Sequence, residues 1–295
     1  MNRFISFTAR KRRGAIRDLL PLAGQAKSLV NVSVICPYHN EAEIIEKAVP
    51  ELARQLATLE GGWELLLVND GSTDGSDEIL LRLAVENPQI RPLGYFTQRG
   101  RGFALRTGIA AARSEIVVTT ELDLSWGANV VQDLVRALRE SPDAQIAIAS
   151  PHLPAGAYKN EPAVRVWISR LGNVVIRDCL PGAVSMNTGM TRAYRRATVQ
   201  SMQLKEDGKI FHLEVIREAG KRGLKIVEIP AVLEWPRHGD GENSRQRSSS
   251  LKIPQQIKSH MAYLLRVNPK RCLWRALEAS VLLGIAAWVI ARWIF

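Results

Sequence analysis

The chain has 295 residues, of which 46% are hydrophobic and 23% charged, and its formal net charge at pH 7 is +11. This composition excludes disorder of the whole chain and leaves room for one large domain or two small ones. The positive charge predicts an anionic partner, such as nucleic acid, a lipid surface or a phosphorylated substrate. Its three cysteines form no CxxC pair or His-flanked cluster, which favours a reducing, cytosolic setting.

The first 30 residues predict a basic N-terminal extension. Residues 1–13 contain four arginines and one lysine, but no apolar stretch of secretory length follows them, so export is not predicted. Residues 15–30 fit either a surface helix or a loosely packed extension.

Residues 31–250 predict one wound α/β domain. Apolar runs at 32–36, 65–68 and 116–120 are typical of buried parallel strands. The spacing of apolar residues over 41–59 predicts an amphipathic helix, and a second helix after Asp74 is predicted to have the apolar face Ile79, Leu80, Leu83 and Val85. Further along, the sequence predicts strands at 145–149 and 225–229, a helix at 164–176, and a mobile loop at 237–250.

The end of the chain predicts membrane attachment. A basic juxtamembrane helix is predicted over 251–275, and it leads into the most hydrophobic stretch, residues 276–295, which is about 30 Å long as a helix. Residues 279–291 are free of charge, a length that also suits an interfacial or a core helix. The cations that precede this stretch favour the cytoplasmic face of the membrane, with a transmembrane span as the preferred form.

Polar segments follow the predicted strands in a fixed order, at 37–41, 69–75, 100–104 and 121–123. The last one holds Glu121 and Asp123 at the carboxyl end of a strand, where open α/β sheets bind ligands and where a divalent cation could bridge to a diphosphate. With these four segments the chain resembles family 2 glycosyltransferases of the GT-A fold. The resemblance is strongest to dolichyl-phosphate mannose synthase and related polyprenyl-phosphate glycosyltransferases, and it covers about residues 31–245.

The first two segments are implied to hold the nucleotide. Pro37, His39 and Glu41 match the family's P-x-[YH]-N-E pattern, whose loop binds the base and ribose. Asp70 matches the second acid of the D-D-G-S-x-D-G pattern and is implied to face the base. Asn69 departs from the usual first Asp of that pattern.

The next two segments are implied to handle the diphosphate and its metal. Gly100 and Arg101 match a G-[KR]-G turn, in which glycines let the backbone approach the donor and the cation offsets diphosphate charge. Glu121 and Asp123 match the D-x-D motif, with Glu in place of the first Asp, so that Asp123 is the stronger candidate ligand. With Ser125 they are implied to bind Mg²⁺ or Mn²⁺.

The resemblance extends to two later segments. Residues 211–214 resemble an F-D-x-E-L element with His212 in place of Asp, and Glu214 is implied to orient the acceptor or a basic residue. An R-x-x-G-x-S-K element that closes over the diphosphate is represented, at a longer spacing, by Arg237, Ser244 and Arg245.

The implied reaction is the transfer of a sugar, with inversion, from a UDP or GDP sugar to a polyprenyl phosphate, with Asp123, Arg101 and Glu214 as catalytic residues. A phosphate acceptor is already anionic and needs little help from a base, whereas a saccharide hydroxyl would need a carboxylate, Glu214 or Asp178. A non-catalytic nucleotide-binding membrane scaffold is a further alternative. Nucleic-acid binding is not predicted, because it leaves the acidic strand ends unexplained. The sugar, the base, the prenyl length and the oligomeric state stay open, and an oligomer is compatible with the sequence.

Overall fold

The computed structural model describes residues 30–234 and 253–275. Within these ranges the strands are β1 (Val30–Tyr38), β2 (Gly62–Asp70), β3 (Ile90–Tyr95), β4 (Ile116–Thr119), β5 (Ala144–Ser150), β6 (Ala157–Lys159), β7 (Arg192–Arg195), β8 (Lys225–Pro230) and β9 (Val232–Glu234). The helices are α1 (Ala42–Leu56), α2 (Ser76–Glu86), α3 (Arg101–Ala111), α4 (Val130–Glu140), α5 (Ala163–Cys179), α6 (Arg196–Ser201), α7 (Phe211–Lys221) and α8 (Ile253–Val267).

Seven strands form one twisted sheet in the order β3-β2-β1-β4-β7-β5-β8. All neighbours pair in parallel except β7, which runs antiparallel to both β4 and β5. Strands β6 and β9 pair separately as a short parallel ribbon. The large sheet is therefore the mostly parallel sheet of an α/β domain that the sequence predicts.

The central strands are buried on both faces. Leu65, Leu66, Leu67 and Val68 have no exposed surface, and the same holds for Val34 of the neighbouring strand β1. Helices cover both faces of a wound parallel sheet, which is why these strands read as unbroken apolar runs. Because the strands are parallel, the carboxyl ends of β1, β2, β3 and β4 meet at one edge.

The predicted apolar face of α2 is wrong at one position. Leu80 and Leu83 are buried against the sheet, whereas 78% of Val85 is exposed. Val85 follows Leu83 by two residues, which is about 200° around a helix of 3.6 residues per turn. It therefore points to solvent.

In the two described ranges, no helix is long and apolar enough to cross a bilayer. The predicted membrane segment, residues 276–295, lies outside the described residues, as do residues 1–29 of the predicted N-terminal extension. The predicted basic helix over 251–275 corresponds to α8 and to the helical residues 269–275 that follow it.

Helix α3 lies close to the sheet because of a glycine. A Cβ placed on Gly108 would lie 2.5 Å from Cγ2 of Ile35 and 3.2 Å from Cγ2 of Val68. Both of these methyl groups belong to buried β-branched residues, which have little rotamer freedom. The helix therefore carries a glycine where any larger residue would push it off the sheet.

We expect Gly108→Ala to lower the free energy of unfolding by about 1–3 kcal/mol, the usual cost of overpacking a core. Chemical denaturation of the two proteins measures this difference. The matched control is Gly172→Ala in α5, where a Cβ would meet nothing within 4 Å. Since alanine favours helix by about 0.5–1 kcal/mol over glycine, the control should be neutral or stabilising. Equal stabilities of the two variants would contradict the packing argument.

Candidate functional site

The two acids of the predicted metal site lie in the turn after β4. Asp123 Oδ1 accepts the backbone N–H of Ser125 at 3.0 Å, and Leu124 between them has a left-handed backbone with φ 56°. Glu121 Oε2 accepts the indole N–H of Trp126 at 3.3 Å, and its Oε1 lies 3.5 Å from Nη1 of Arg101. Arg101 and Glu121, which the sequence predicts as separate residues of the site, therefore lie side by side.

Three carboxylates gather around the end of β1. Burial, and then the negative charges of Glu41, Asp123 and Glu121, raise the pKa of the Cys36 thiol far above its ordinary value. Glu41 of the predicted nucleotide loop and the two predicted metal ligands therefore all lie close enough to the Cys36 thiol to raise its pKa. This end of the sheet is electronegative and suits a cation.

The donor set suits a hard divalent cation. Among the described residues no group of three or more His, Cys, Asp or Glu side chains is placed to hold a metal. Glu121 and Asp123 supply two carboxylates, and the buried hydroxyl of Ser125 has no hydrogen-bond partner in the described parts of the chain. Two carboxylates and a hydroxyl are the kind of incomplete oxygen shell that Mg²⁺ completes with water and substrate phosphates.

The loops after β1 and β2, which the sequence predicts to hold the nucleotide, are joined to each other by hydrogen bonds. His39 Nδ1 donates to the carbonyl of Asp70 at 2.9 Å, the backbone N–H of Asn40 donates to Ser72 Oγ at 2.9 Å, and that of Glu41 donates to Ser76 Oγ at 3.1 Å. Pro37 lies in β1 opposite Val68. The loops after β1 and β2 thus form one rim, as the resemblance implies for a base and ribose site.

Asp70 holds a neighbouring loop. Its carboxylate is buried and accepts the hydroxyl of Tyr95 at 2.7 Å and the backbone N–H groups of Arg99 and Gly100 at 2.8 and 2.9 Å. Burial and this hydrogen bond raise the pKa of Tyr95. The residue implied to face the base therefore fixes the entry to the Gly100 turn.

Asn69, which departs from the family pattern, has a structural explanation. Its Nδ2 donates to Asp77 Oδ1 at 2.7 Å while its Oδ1 accepts the backbone N–H of Ser72 at 2.7 Å. Tyr38 donates its hydroxyl to the same oxygen of Asp77. A carboxylate at position 69 could not donate to Asp77 and would place two like charges in contact.

The glycines of the Gly100 turn are required by contacts within the protein, apart from any contact with a nucleotide sugar. The backbone N–H groups of Gly102 and Phe103 donate to the carbonyl of Asp207 at 2.7 and 3.1 Å. A Cβ on Gly100 would lie 2.6 Å from that oxygen, and one on Gly102 would overlap the carbonyl of Glu206. The glycines are needed here because a loop, residues 204–209, lies directly against the turn.

Glu214 holds that loop in place. Its two oxygens accept the backbone N–H of Lys205 at 3.0 and 2.8 Å, and its Oε2 accepts that of Glu206 at 2.9 Å. Its side chain is largely buried. The resemblance implies that Glu214 orients the acceptor or a basic residue, and that role stays a prediction. Its described contacts hold the 204–209 loop, which lies against the Gly100 turn.

Arg192 and His212 are buried next to each other, and sequence reasoning did not predict Arg192 as a buried residue. The Arg192 guanidinium has no exposed surface and donates to the carbonyls of Gly189, His212 and Asn187. Burial, and then the charges of Arg192 and Arg101, hold the pKa of His212 well below its ordinary value, so the ring is neutral at pH 7. Arg192 begins β7, whose sequence Arg-Ala-Tyr-Arg has no apolar run to indicate that its first residue is buried.

The structure brings together residues from all four strand-end segments. The predicted residues Arg237, Ser244 and Arg245 lie outside the described residues.

We expect Asn69→Asp to lower the free energy of unfolding by about 1–3 kcal/mol, because it replaces a donated hydrogen bond by repulsion from Asp77. Urea unfolding of the variant and the native chain at pH 8 measures this loss. The double variant Asn69→Asp, Asp77→Asn restores one amide and one carboxylate and should recover most of the loss; a stable single variant at pH 8 would contradict this account.

Comparison with known proteins places this geometry in a family. A model described as glycosyl transferase family 2 matches residues 33–202. Polyprenol monophosphomannose synthase of Mycolicibacterium smegmatis is 28% identical over 203 residues, which cover 67% of this chain and 75% of that protein. Undecaprenyl-phosphate 4-deoxy-4-formamido-L-arabinose transferase of Pseudomonas aeruginosa is 32% identical over 177 residues, 58% of this chain and 49% of that protein. Glycosyltransferase AglD of Haloferax volcanii is 27% identical, and the match spans 34% of its length.

A solved structure supports the same conclusion for the fold. Glucosyl-3-phosphoglycerate synthase from Mycobacterium tuberculosis, in complex with Mn²⁺, UDP-glucose and phosphoglyceric acid, is similar with a TM-score of 0.59 and 22% identity. The match covers 82% of this chain and 80% of that one. It confirms an α/β fold of the GT-A type. The family model matches residues 33–202, which are more than half of the 295 residues of this chain, and the chain therefore belongs to glycosyl transferase family 2.

Proposed function

We propose that this glycosyltransferase moves a sugar from a UDP or GDP sugar to a polyprenyl phosphate at the cytoplasmic face of a membrane. The reaction is a direct displacement that inverts the anomeric carbon and depends on Mg²⁺ or Mn²⁺. In this proposal residues 276–295 anchor the chain in the membrane, and membrane lipids are among its binding partners.

The observation that carries the proposal is the set of oxygens after β4. Glu121 and Asp123 lie in one turn with the hydroxyl of Ser125, which has no hydrogen-bond partner among residues 30–234 and 253–275. The turn lies at the same sheet edge as the loops after β1 and β2. Asp123, Glu121 and Ser125 would hold the divalent cation, which would offset negative charge on the leaving nucleoside diphosphate. Similar structures hold Mn²⁺ or Mg²⁺ together with UDP, which supports this use of the site.

Arg101 supplies the protein's own positive charge at this site. Its guanidinium lies 3.5 Å from Glu121 and its side chain is partly exposed, so it can turn from the carboxylate toward a diphosphate. A cation fixed in advance where negative charge develops lowers the barrier to departure of the leaving group. The Gly100 turn and Asp70 hold the backbone of Arg101 in position for this role.

A hydroxyl acceptor would need a carboxylate base, and the two candidate carboxylates, Glu214 and Asp178, are both engaged by other groups of the protein. Glu214 accepts backbone N–H groups with both of its oxygens, and Asp178 pairs with Arg275 at 3.6 Å. A phosphate monoester attacks without such a base, so a polyprenyl phosphate fits the described residues better than a sugar hydroxyl. The names of two similar proteins, which contain polyprenol and undecaprenyl phosphate, support the same choice.

The direct test is to incubate the full chain in membranes with radiolabelled UDP or GDP sugars and polyprenyl phosphate. The proposal expects label in a lipid that mild acid releases. An acid-stable lipid product would show transfer to a hydroxyl instead. Nucleotide binding that EDTA does not affect, without any turnover, would show a non-catalytic relative. Thermal stabilisation by each nucleoside diphosphate with Mn²⁺ or Mg²⁺ identifies the base.

We expect Asp123→Asn to abolish Mn²⁺-dependent transfer and to remove the extra thermal stabilisation that Mn²⁺ adds to the bound nucleoside diphosphate. The reason is that an amide oxygen is a weaker ligand than a carboxylate for a hard cation. Glu121→Gln should raise the Mn²⁺ concentration needed for half-maximal activity by a smaller factor, because Glu121 is also engaged by Arg101 and Trp126.

The matched control for this pair is Asp143→Asn, which removes an exposed carboxylate that pairs with Lys225 far from the strand-end loops. It should leave activity and Mn²⁺ dependence unchanged. If Asp123→Asn kept its Mn²⁺ response while Glu121→Gln lost it, the assignment of the main ligand would pass to Glu121.

We expect Glu214→Gln to raise the KM for the nucleotide sugar, because the 204–209 loop that supports the Gly100 turn loses a charged acceptor. The shape of the pH–kcat profile should stay unchanged. A general base would behave differently, with kcat falling by about 10²-fold or more and the acidic limb of the profile lost. Steady-state kinetics from pH 5 to 9 separates the two roles.

Glu218→Gln is the control for this prediction. It lies one turn further along α7 and pairs with Lys221 and Arg217 rather than with the 204–209 loop. Its kinetics should match those of the native chain. A KM effect of equal size in both variants would point to a general loosening of α7.

A further inference from the structure

Helix α5 has two apolar faces. Asn173, Ile176 and Cys179 are buried on one side. On the other side an outward stripe recurs every three or four residues, formed by Val164, Trp167, Leu171 and Val174, and these side chains are 69%, 71%, 65% and 43% exposed. A helix that is apolar on both sides belongs in a core or against a membrane, and its outer stripe therefore calls for a partner.

Helix α8 repeats this pattern. Tyr263 and Leu264 are buried, whereas Ile257, Met261 and Leu265 are each about two-fifths to one-half exposed. The exposed residues are spaced by four and share one side of α8, which lies opposite Tyr263 and next to Leu264. Leu273 and Trp274, in the helical residues that follow, are 62% and 61% exposed.

The two helices are neighbours. The buried sides of α5 and α8 belong to one apolar cluster, in which Ile176 and Cys179 pack with Tyr263, Leu264 and Cys272. Asn268 donates its side-chain amide to the carbonyl of Cys179 at 3.0 Å, and Arg275 pairs with Asp178. The outward stripes therefore belong to adjacent helices that are fixed to each other.

The charge of this region is strongly one-sided. Residues 163–179 and 253–275 contain a single acidic residue, Asp178. They contain eight cations, which are Arg165, Arg170, Arg177, Lys258, Arg266, Lys270, Arg271 and Arg275. Long cationic side chains beside an apolar stripe can bury their methylene groups and reach anionic headgroups with their charged ends.

We propose that the exposed apolar stripes of α5 and α8, here called the docking face, insert into the surface of a bilayer that contains acidic lipids. The inference rests on the proposed function only for its choice of a lipid partner. It adds a contact made by the folded domain itself, through α5, to the attachment predicted for residues 276–295.

Charge favours a bilayer over a second copy of the chain. Eight cations lie on α5, α8 and the residues after α8, and only three of them pair with carboxylates of the described chain: Arg165 with Glu161, Arg266 with Glu206, and Arg275 with Asp178. A dimer through the docking face would bring two cationic helix pairs together, whereas acidic headgroups neutralise their charge. The sequence beyond Arg275 points the same way, since it continues at once into the apolar residues 276–295. Trp167 and Trp274 are of the residue type that is enriched at the boundary between lipid and water.

The test places an environment-sensitive fluorophore at single cysteines in the full chain. Leu171→Cys reports on α5, Met261→Cys reports on α8, and Val85→Cys is the matched control, because Val85 is an exposed apolar residue on α2. The unsubstituted chain measures any labelling of the three buried native cysteines. Vesicles of phosphatidylcholine are compared with vesicles that also contain phosphatidylglycerol, without donor or acceptor present.

With acidic vesicles we expect blue-shifted emission at positions 171 and 261, and quenching by lipids that carry a nitroxide on the acyl chain of at least about twofold, as for a group about 5–10 Å deep. The label at position 85 should change in neither respect. High salt should weaken the effect before the chain is reconstituted through residues 276–295.

Two results would overturn the proposal. Labels at 171 and 261 that stay as accessible to water as the label at 85 would show that the docking face does not meet lipid. Labels that are shielded without vesicles, and increasingly so at higher protein concentration, would show a second copy as the partner. Sugar transfer is assayed separately on the same proteins, so an inactive enzyme can still pass this test and an active one can fail it.

Discussion

The close contact between the Gly100 turn and the 204–209 loop is the constraint on which the candidate site depends. The carbonyl of Asp207 accepts two successive backbone N–H groups of the turn, and there is no room for a Cβ at Gly100 or Gly102. Asp70 fixes the turn from the other side, and Glu214 fixes the loop itself. Arg101 can lie beside Glu121 only because its backbone is held from both directions. The position of Arg101 beside Glu121 thus depends on the carboxylates of Asp70 and Glu214 and on the carbonyl of Asp207.

The sequence predicts the fold well where local pattern decides it. The runs that became β1, β2 and β4 are apolar because both faces of a parallel sheet are covered, and the acids that follow them lie at one edge because parallel strands end together. Val85 shows the limit of this pattern, because its apolar character suggests burial whereas its angular position on α2 exposes it to solvent. The role of Glu214 was beyond the sequence, since a motif shows that a carboxylate is present and cannot show which N–H groups already occupy its oxygens.

Departures from the family pattern become intelligible only with their spatial partners. Asn69 stands in place of an acid, and the reason lies eight residues later in Asp77, which needs a donor. His212 also replaces an acid, and it lies close to Arg192 and Arg101 as a buried, neutral ring. Arg192 is held by backbone carbonyls, which carry partial rather than full negative charge. Such exchanges change the charge of a buried group without changing the course of the backbone.

The docking face and the metal turn are joined by a short route through the structure. Ser169 of α5 lies 3.0 Å from the hydroxyl of Tyr158 in β6, and β6 pairs with β9. The backbone N–H of Glu234 at the end of β9 donates to the carbonyl of Ser125 at 2.7 Å. A bilayer bound at α5 would therefore be tied, through one ribbon, to the turn that carries Asp123. With the proposed acceptor, a phosphate at headgroup level would then reach the donor without leaving the membrane, and the ribbon would lower the entropy cost of aligning the two.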